Sequence, residues 1–289
     1  MRLFSFQRPD GQKRVGILKD SSAKEYLDLN ELDPTLPKSL LGILESPEGL
    51  RRVAELVKGH NNYQPLINIK FIPLVDRPGK IVCLGLNYAD HAKEGGHSRP
   101  EYPGFFMRGP SSLTAHQASI VLPKVSDKLD YEAELAFIVG KTARNLNKDN
   151  ALDCIAGYSL FNDGSIRDYQ RKTAQWTIGK NFDKTGAFGP WLVTPDELPK
   201  AADGLRIQSR LNGRVMQDAN TKDFLWGIVE TLILITECMT LEPGDVVITG
   251  TPAGVGYART PPVFMKQGDQ CEIEIEGIGI LSNTIELEI

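Results

Sequence analysis

The stretch Asp130–Gly140 reads DYEAELAFIVG. Side chains along a strand alternate between faces, so Glu132 and Glu134 share one face, which continues into Ala136 and Ile138. Tyr131, Ala133, Leu135, Phe137 and Val139 form the other face. Two carboxylates at this spacing have Cα atoms about 7 Å apart and repel by roughly 2 kcal/mol at an effective dielectric near 20. Either water screens them, as on a solvated face, or a bound cation turns the repulsion into attraction. The same chain provides a contrast. In CEIEIEGIG (Cys271–Gly279), Glu272, Glu274 and Glu276 alternate strictly with Ile273 and Ile275, the pattern of a half-solvated antiparallel strand. Beyond Glu134, DYEAELAFIVG is apolar on both sides, which points to a strand buried on both faces with a site at its carboxylate end.

The 289 residues, 41% of them hydrophobic, are enough for a substantial core. A net charge of −4 and scattered Arg and Lys, paired only briefly as at Arg51-Arg52 and Arg171-Lys172, argue against nucleic-acid binding. Cys83, Cys154, Cys238 and Cys271 are widely spaced in apolar surroundings without zinc-type spacing, so they read as buried free thiols in a reducing compartment. MRLFSFQRPDG shows no targeting segment, and the longest apolar run, near Thr231–Thr236, is too short for a bilayer. The expectation is a cytoplasmic protein without a membrane span, or a mitochondrial matrix protein if the source is eukaryotic.

Residues 1–70 read as a small N-terminal α+β unit. RLFSFQ and RVGILK are strands joined by a Pro9-Asp10-Gly11 turn, followed by helical patterns at Leu41–Leu44 and Gly49–Val57. Residues 71–289 carry many short strands with Gly/Pro punctuation. Asn212-Gly213 predicts a hairpin, and Thr221–Met239 predicts a helix capped at Thr221 or Asp223, on the spacing of Phe224, Leu225, Ile228, Val229, Leu232 and Ile233. The fold class is α+β, β-rich.

Several further residues are chemically suggestive. Asp163, in GYSLFNDGS, closes an apolar run, although Asn-Asp-Gly is itself a turn former. His91 and Glu94, three apart in GLNYADHAKE, share a face of any helical turn, where a carboxylate can raise the basicity of an imidazole; a solvated helix start fits the same spacing. Lys180 follows Gly179 in QWTIGKNFD, with nothing local to distinguish it from a surface charge. TGTPAGVG, Thr249–Gly256, is a Gly-rich turn lacking the GK[ST] of a nucleotide loop.

Taken in order, NYADHAKE, DYEAELAFIVG, FNDGSIRDYQ, GKNFD, PGDVVITGTPAGVG and PPVFMKQGD resemble the fumarylacetoacetate hydrolase family from about Arg77 to the C-terminus, with the first seventy residues resembling the leader domain of its longer members. The resemblance implies a mixed β-sheet roll and a homodimer. It implies metal ligation by Glu132, Glu134 and Asp163, a set of hard oxygen ligands suited to Mg²⁺, with Mn²⁺ or Ca²⁺ as substitutes. It implies a catalytic His91–Glu94 dyad on a lid, a catalytic Lys180, and substrate contacts from Gln170, Thr251 and the Gly250 backbone. Members acting on acylpyruvates often carry an arginine just before NYxxH. Leu86 stands there in this chain, and Arg108, in FFMRGPSS, is the candidate to compensate.

The activity implied is metal-dependent chemistry on a 2-oxo or 1,3-dicarbonyl acid through a stabilised enolate. It takes the form of C–C hydrolysis of a diketo acid, or of oxaloacetate decarboxylation or tautomerisation. The alternatives are a hydratase or isomerase of a 2-oxo-dienoic acid, and a non-catalytic protein that binds a small acid.

Overall fold

Ala133–Val139 is a strand at the heart of the largest sheet, buried along its whole length. The computed structural model describes residues 1–94 and 101–289. The strand pairs antiparallel with Ile155–Asp163 on one side (Glu134 opposite Phe161) and with Val246–Ile248 on the other. Its two faces enter different cores. Tyr131, Ala133, Leu135, Phe137 and Val139 pack with Ile207, Ile273, Leu281 and Leu232. Ala136 and Ile138 pack with Leu3, Ile43, Val53 and Ile248. A strand buried on both faces must be apolar on both, which is why simple alternation fails here.

The large sheet runs, edge to edge, through Gln64–Pro65, Glu25–Asp28, Lys13–Leu18, Arg2–Gln7, Gly186–Val193, Ile155–Asp163, Ala133–Val139, Val246–Ile248, Ile81–Gly85 and Gly104–Arg108. It is mixed: Val246–Ile248 lies parallel to Ile81–Gly85, and most other pairs are antiparallel. The N-terminal hairpin, turning at Gly11, continues this sheet because Leu3 pairs with Leu192. Helices Leu40–Glu45 and Gly49–Leu56 cover its second face, the first capped by the Ser39 hydroxyl, which accepts from the Gly42 N–H. A five-stranded sheet, in the order Arg214–Asn220, Arg206–Leu211, Gln270–Ile275, Gly279–Leu287, Ile120–Leu122, packs on the other face. Its hairpin turns at Asn212-Gly213, both left-handed, as the dipeptide predicts. Gln270–Ile275 is buried at Cys271, Ile273 and Ile275 and partly exposed at Glu272 and Glu274, the half-solvated pattern read from the sequence.

Three expectations are corrected. The helix predicted from Thr221 begins at Ile228 and ends at Cys238. Ahead of it, the Leu225 and Trp226 N–H groups donate to the Asn87 carbonyl and side-chain oxygens, and Phe224 packs edge-on against Tyr88. Tertiary hydrogen bonds have replaced the helical ones. Asn162-Asp163-Gly164 is not a turn: the strand reaches Asp163, and Gly164 is required because a Cβ there would collide with the Thr185 carbonyl. Cys238 is exposed, unlike the three buried thiols.

Candidate active site

The acidic end of Ala133–Val139 opens into a cavity of about 530 Å³ whose wall includes Glu132, Glu134, Asp163, Lys180 and His91. Glu134 (1% exposed) belongs to the strand, Glu132 (4%) precedes it, and Asp163 (0%) ends the neighbouring strand. One oxygen from each of the three lies within 4.8 Å of the others. Burial at this level rules out the solvated-face reading. The two glutamates are held in different ways: the Glu132 N–H donates to Asn162 Oδ1 (3.0 Å), and Glu134 Oε2 accepts the Gly250 N–H (2.6 Å). Gly250 has φ +93°, and a Cβ there would press on Asn87, so the loop needs a glycine to bring its amide to Glu134.

Three buried cations surround the cluster. Lys180 Nζ bridges Glu132 Oε2 (2.6 Å) and Asp163 Oδ2 (2.5 Å). Arg108 Nη1 meets Asp163 Oδ1 (2.5 Å), and Arg167 Nη2 meets Glu132 Oε1 (2.6 Å). Arg167 also donates from Nε to Asp130 (2.8 Å), whose carboxylate accepts the Gly256 and Tyr257 N–H groups (2.8 and 2.9 Å). Asp130 therefore ties the Gly-rich loop to the strand entry. Four carboxylates face three cations. Among the described residues Glu134 is the member of this set with no cation in ion-pair range. Burial raises the Glu134 carboxyl well above its ordinary pKa, and repulsion from Asp163 and Glu132 adds to the rise. For Glu132 burial opposes ionisation, but Arg167 and Lys180 outweigh it and hold the carboxyl at about 2.

His91 and Glu94 lie on the helix Ala89–Glu94 with Nδ1 and Oε2 3.6 Å apart, an ion-pair rather than a hydrogen-bond distance. Both Glu94 oxygens accept the Gly254 N–H at 3.0 Å. Burial works against the Glu94 charge, but His91 and the Gly254 amide prevail and lower its pKa. The segment that follows, 95–100, lies outside the described residues, and the lid expectation extends into it.

The remaining predicted contacts divide. Gln170 and Thr251 line the cavity. Gln170 Oε1 accepts from Arg167 (2.9 Å), and the Thr251 hydroxyl donates to the Ala133 carbonyl (3.0 Å) and accepts from Gln217 (2.7 Å). Arg108 does not reach the cavity wall. Its donors are committed to Ser112, Asp163, Gly164 and Thr185, so it stands behind Asp163 and orients it. Gly250 likewise orients Glu134. Sequence reasoning missed Arg167, Asp130 and Asn87, although all three lie in or beside the quoted motifs.

Asn87, fully buried, donates to the Thr249 and Trp226 carbonyls (2.8 and 3.1 Å) and accepts the Trp226 N–H (2.7 Å). Asn87→Ala would leave these backbone groups buried and unpaired, at an expected cost of about 2–4 kcal/mol. Urea denaturation checks this, and a loss below about 1 kcal/mol would show that water replaces the amide.

Glu132, Glu134, Asp163, Lys180 and His91 thus lie around one cavity, with Glu94 next to His91. The family model described as fumarylacetoacetate (FAA) hydrolase C-terminal matches residues 80–286. The chain belongs to the fumarylacetoacetate hydrolase family. Within it, the chain is 37% identical over 288 residues to a Bos taurus protein named oxaloacetate tautomerase FAHD2A, mitochondrial, covering 99% of this chain and 91% of the relative. A fumarylacetoacetate hydrolase structure from psychrophilic Exiguobacterium antarcticum superposes with TM-score 0.83 at 34% identity, covering all of both chains. The 5-carboxymethyl-2-hydroxymuconate delta-isomerase structure from Mycobacterium smegmatis gives 0.78 at 29%, also over both full chains. These neighbours match the β-rich mixed-sheet fold read from the sequence. None of the described helices is long and apolar enough to cross a membrane.

Proposed function

We propose that this chain is an enzyme that interconverts the keto and enol forms of a small 2-oxo diacid of the oxaloacetate type. The observation that carries the reading is that the buried triad, Lys180 and His91 line one cavity, with Glu94 beside His91. The relative named oxaloacetate tautomerase favours this substrate class over other 2-oxo acids.

The triad fits a divalent cation on its own chemistry. Its donors are hard carboxylate oxygens within a few ångströms of one another, and one of the three groups, Glu134, is buried with no ion-pair partner among the described residues. Glu132, Glu134 and Asp163 would hold Mg²⁺, or Mn²⁺ or Ca²⁺ in its place, and the bound cation supplies Lewis-acid polarisation of the 2-oxo group. Lys180 puts a fixed positive charge beside the site, where negative charge develops as C3 loses its proton. His91 is the group that takes the C3 proton and returns it to the C2 oxygen. One C–H bond breaks, one O–H bond forms, and the double bond moves from C=O to C=C. Glu94, whose pKa is lowered against burial by His91 and then by the Gly254 amide, stabilises the transient imidazolium. Gln170 Oε1 is already occupied, which leaves its amide NH₂ to donate to a substrate oxygen.

C–C hydrolysis is the second reading, favoured by the 34% identical hydrolase structure. It needs the same polarised carbonyl and a water activated by His91. The test is the decay of enol-oxaloacetate absorbance with purified protein, with added Mg²⁺ or with EDTA, alongside product analysis of an acylpyruvate. His91→Gln is expected to lower kcat on the order of 10²- to 10³-fold. An enol decay no faster than in buffer would sink the tautomerase reading, and cleavage of the acylpyruvate would favour hydrolysis.

A further inference from the structure

Of the side-chain cations on the cavity wall, two are already consumed. Arg167 is bound to Glu132 and Asp130, and Lys180 to Glu132 and Asp163. The third is Arg171, exposed at the mouth, and among the described residues no carboxylate lies within ion-pair distance of it. Its guanidinium is nonetheless placed. Arg171 closes the short helix Arg167–Gln170, four residues from Arg167, so both guanidinium groups come off one face. They lie over the Tyr257 ring at 4.5 Å (Arg167) and 4.4 Å (Arg171) from its centroid. Tyr257 is itself fixed by its amide hydrogen bond to Asp130. A stacked guanidinium keeps its edge N–H donors free for a planar anion, and its orientation is set before a ligand arrives.

The cavity is therefore graded. Its floor, at Asp163 and Glu134, is deeply buried, and among the described residues its rim carries one cation without an ion-pair partner, Arg171, held over the Tyr257 ring. Leu86, on the same wall, offers no charge. We propose that Arg171 receives the distal carboxylate of the substrate, so that the site selects 2-oxo dicarboxylates over 2-oxo monocarboxylates. This rests on the tautomerase reading for the position of the reacting end at the floor. Arg171 is then a specificity residue that contributes mainly to binding.

The test compares wild type, Arg171→Gln and Arg171→Lys. Exposure of Arg171 makes misfolding of the variants an avoidable concern, checked by an unchanged melting temperature. Kinetics with oxaloacetate and with its 4-methyl ester measure the distal charge. Calorimetric binding of malate and lactate, neither of which tautomerises, measures recognition without turnover. Arg171→Gln is expected to raise KM for oxaloacetate and Kd for malate on the order of 10- to 100-fold, with kcat within about threefold and the ester and lactate values unmoved. Arg171→Lys, keeping charge but losing the fork, is expected to fall between.

Equal shifts for diacid and monoacid, or no shift in either, overturn the proposal, as does wild-type protein that binds malate no better than lactate. Arg171-dependent preference for malate without oxaloacetate turnover would support it while removing the tautomerase reading. Turnover of oxaloacetate that is indifferent to Arg171 would do the opposite.

Discussion

Lys180→Met is expected to lower oxaloacetate turnover on the order of 10²- to 10³-fold and to destabilise the metal-free protein by about 3–5 kcal/mol. The two effects have one origin. The ammonium is 2% exposed and bridges two carboxylates: Arg167 backs Glu132 and Arg108 backs Asp163, but among the described residues Lys180 is the cation paired with both. Methionine fills the volume but leaves Glu132 and Asp163 facing each other. Burial disfavours the Lys180 charge, but Asp163 and Glu132 outweigh it and raise the pKa above 10.5. With the folded value above the unfolded one, its contribution is complete at neutral pH and fades only as pH climbs through the folded value. The variant should also bind Mn²⁺ or Mg²⁺ more tightly than wild type, because a competing cation has left the cluster. Added metal should therefore recover much of the lost melting temperature without recovering the activity. A variant as stable as wild type without metal would mean that the ammonium does not neutralise the cluster.

This charge arrangement explains which parts of the site the sequence disclosed. Glu132 and Glu134 were legible because alternation along a strand is a local property, and the apolar residues beyond them marked the strand as buried on both faces. Asp163 was read two ways because Asn-Asp-Gly is a strong local turn former. Its place in a strand is decided by the Thr185 carbonyl packed against Gly164, a contact from another strand's approach. The same reason hid the cations. Arg108 lies 55 residues from Asp163, and Lys180 lies 48 from Glu132, so nothing near either residue reveals its partner. Arg108 was expected to reach the substrate. A guanidinium in a motif beside a predicted site reads as a ligand contact until every one of its donors is seen to be spent on the protein. The early start predicted for the Ile228–Cys238 helix failed for a related reason. Phe224 and Leu225 have helical spacing, but Tyr88 and Asn87 offered them better partners. Motif order conveyed family and fold, whereas the electrostatic support of the site needed three dimensions.

Glu134→Gln is expected to make the metal-free protein more stable and the metal-loaded protein inactive. Glutamine has the same shape and can still accept the Gly250 N–H, so packing and loop position are preserved. What it removes is a buried carboxyl with no cation of its own. The native state holds the Glu134 proton more tightly than the unfolded chain, whose carboxyl titrates near its ordinary 4.5. Between that value and the higher folded one, native protein binds more protons than unfolded protein. The stability of metal-free wild type therefore falls as pH rises through this window and levels off above it. The substituted amide does not titrate, so the two proteins should have similar stability at acid pH, with the variant ahead above it. A divalent cation reverses the order. At a hundredfold excess over its dissociation constant, a ligand bound only by native protein adds about 2.7 kcal/mol. Wild type should gain this, while the variant, with one of three ligand charges removed, should gain little and lose turnover on the order of 10³-fold. Melting temperatures at pH 5 and pH 8, with EDTA and with Mg²⁺, make the measurement. Equal stabilisation of both proteins by Mg²⁺ would take Glu134 out of the ligand set, and equal metal-free stability at pH 8 would show that its charge is compensated after all.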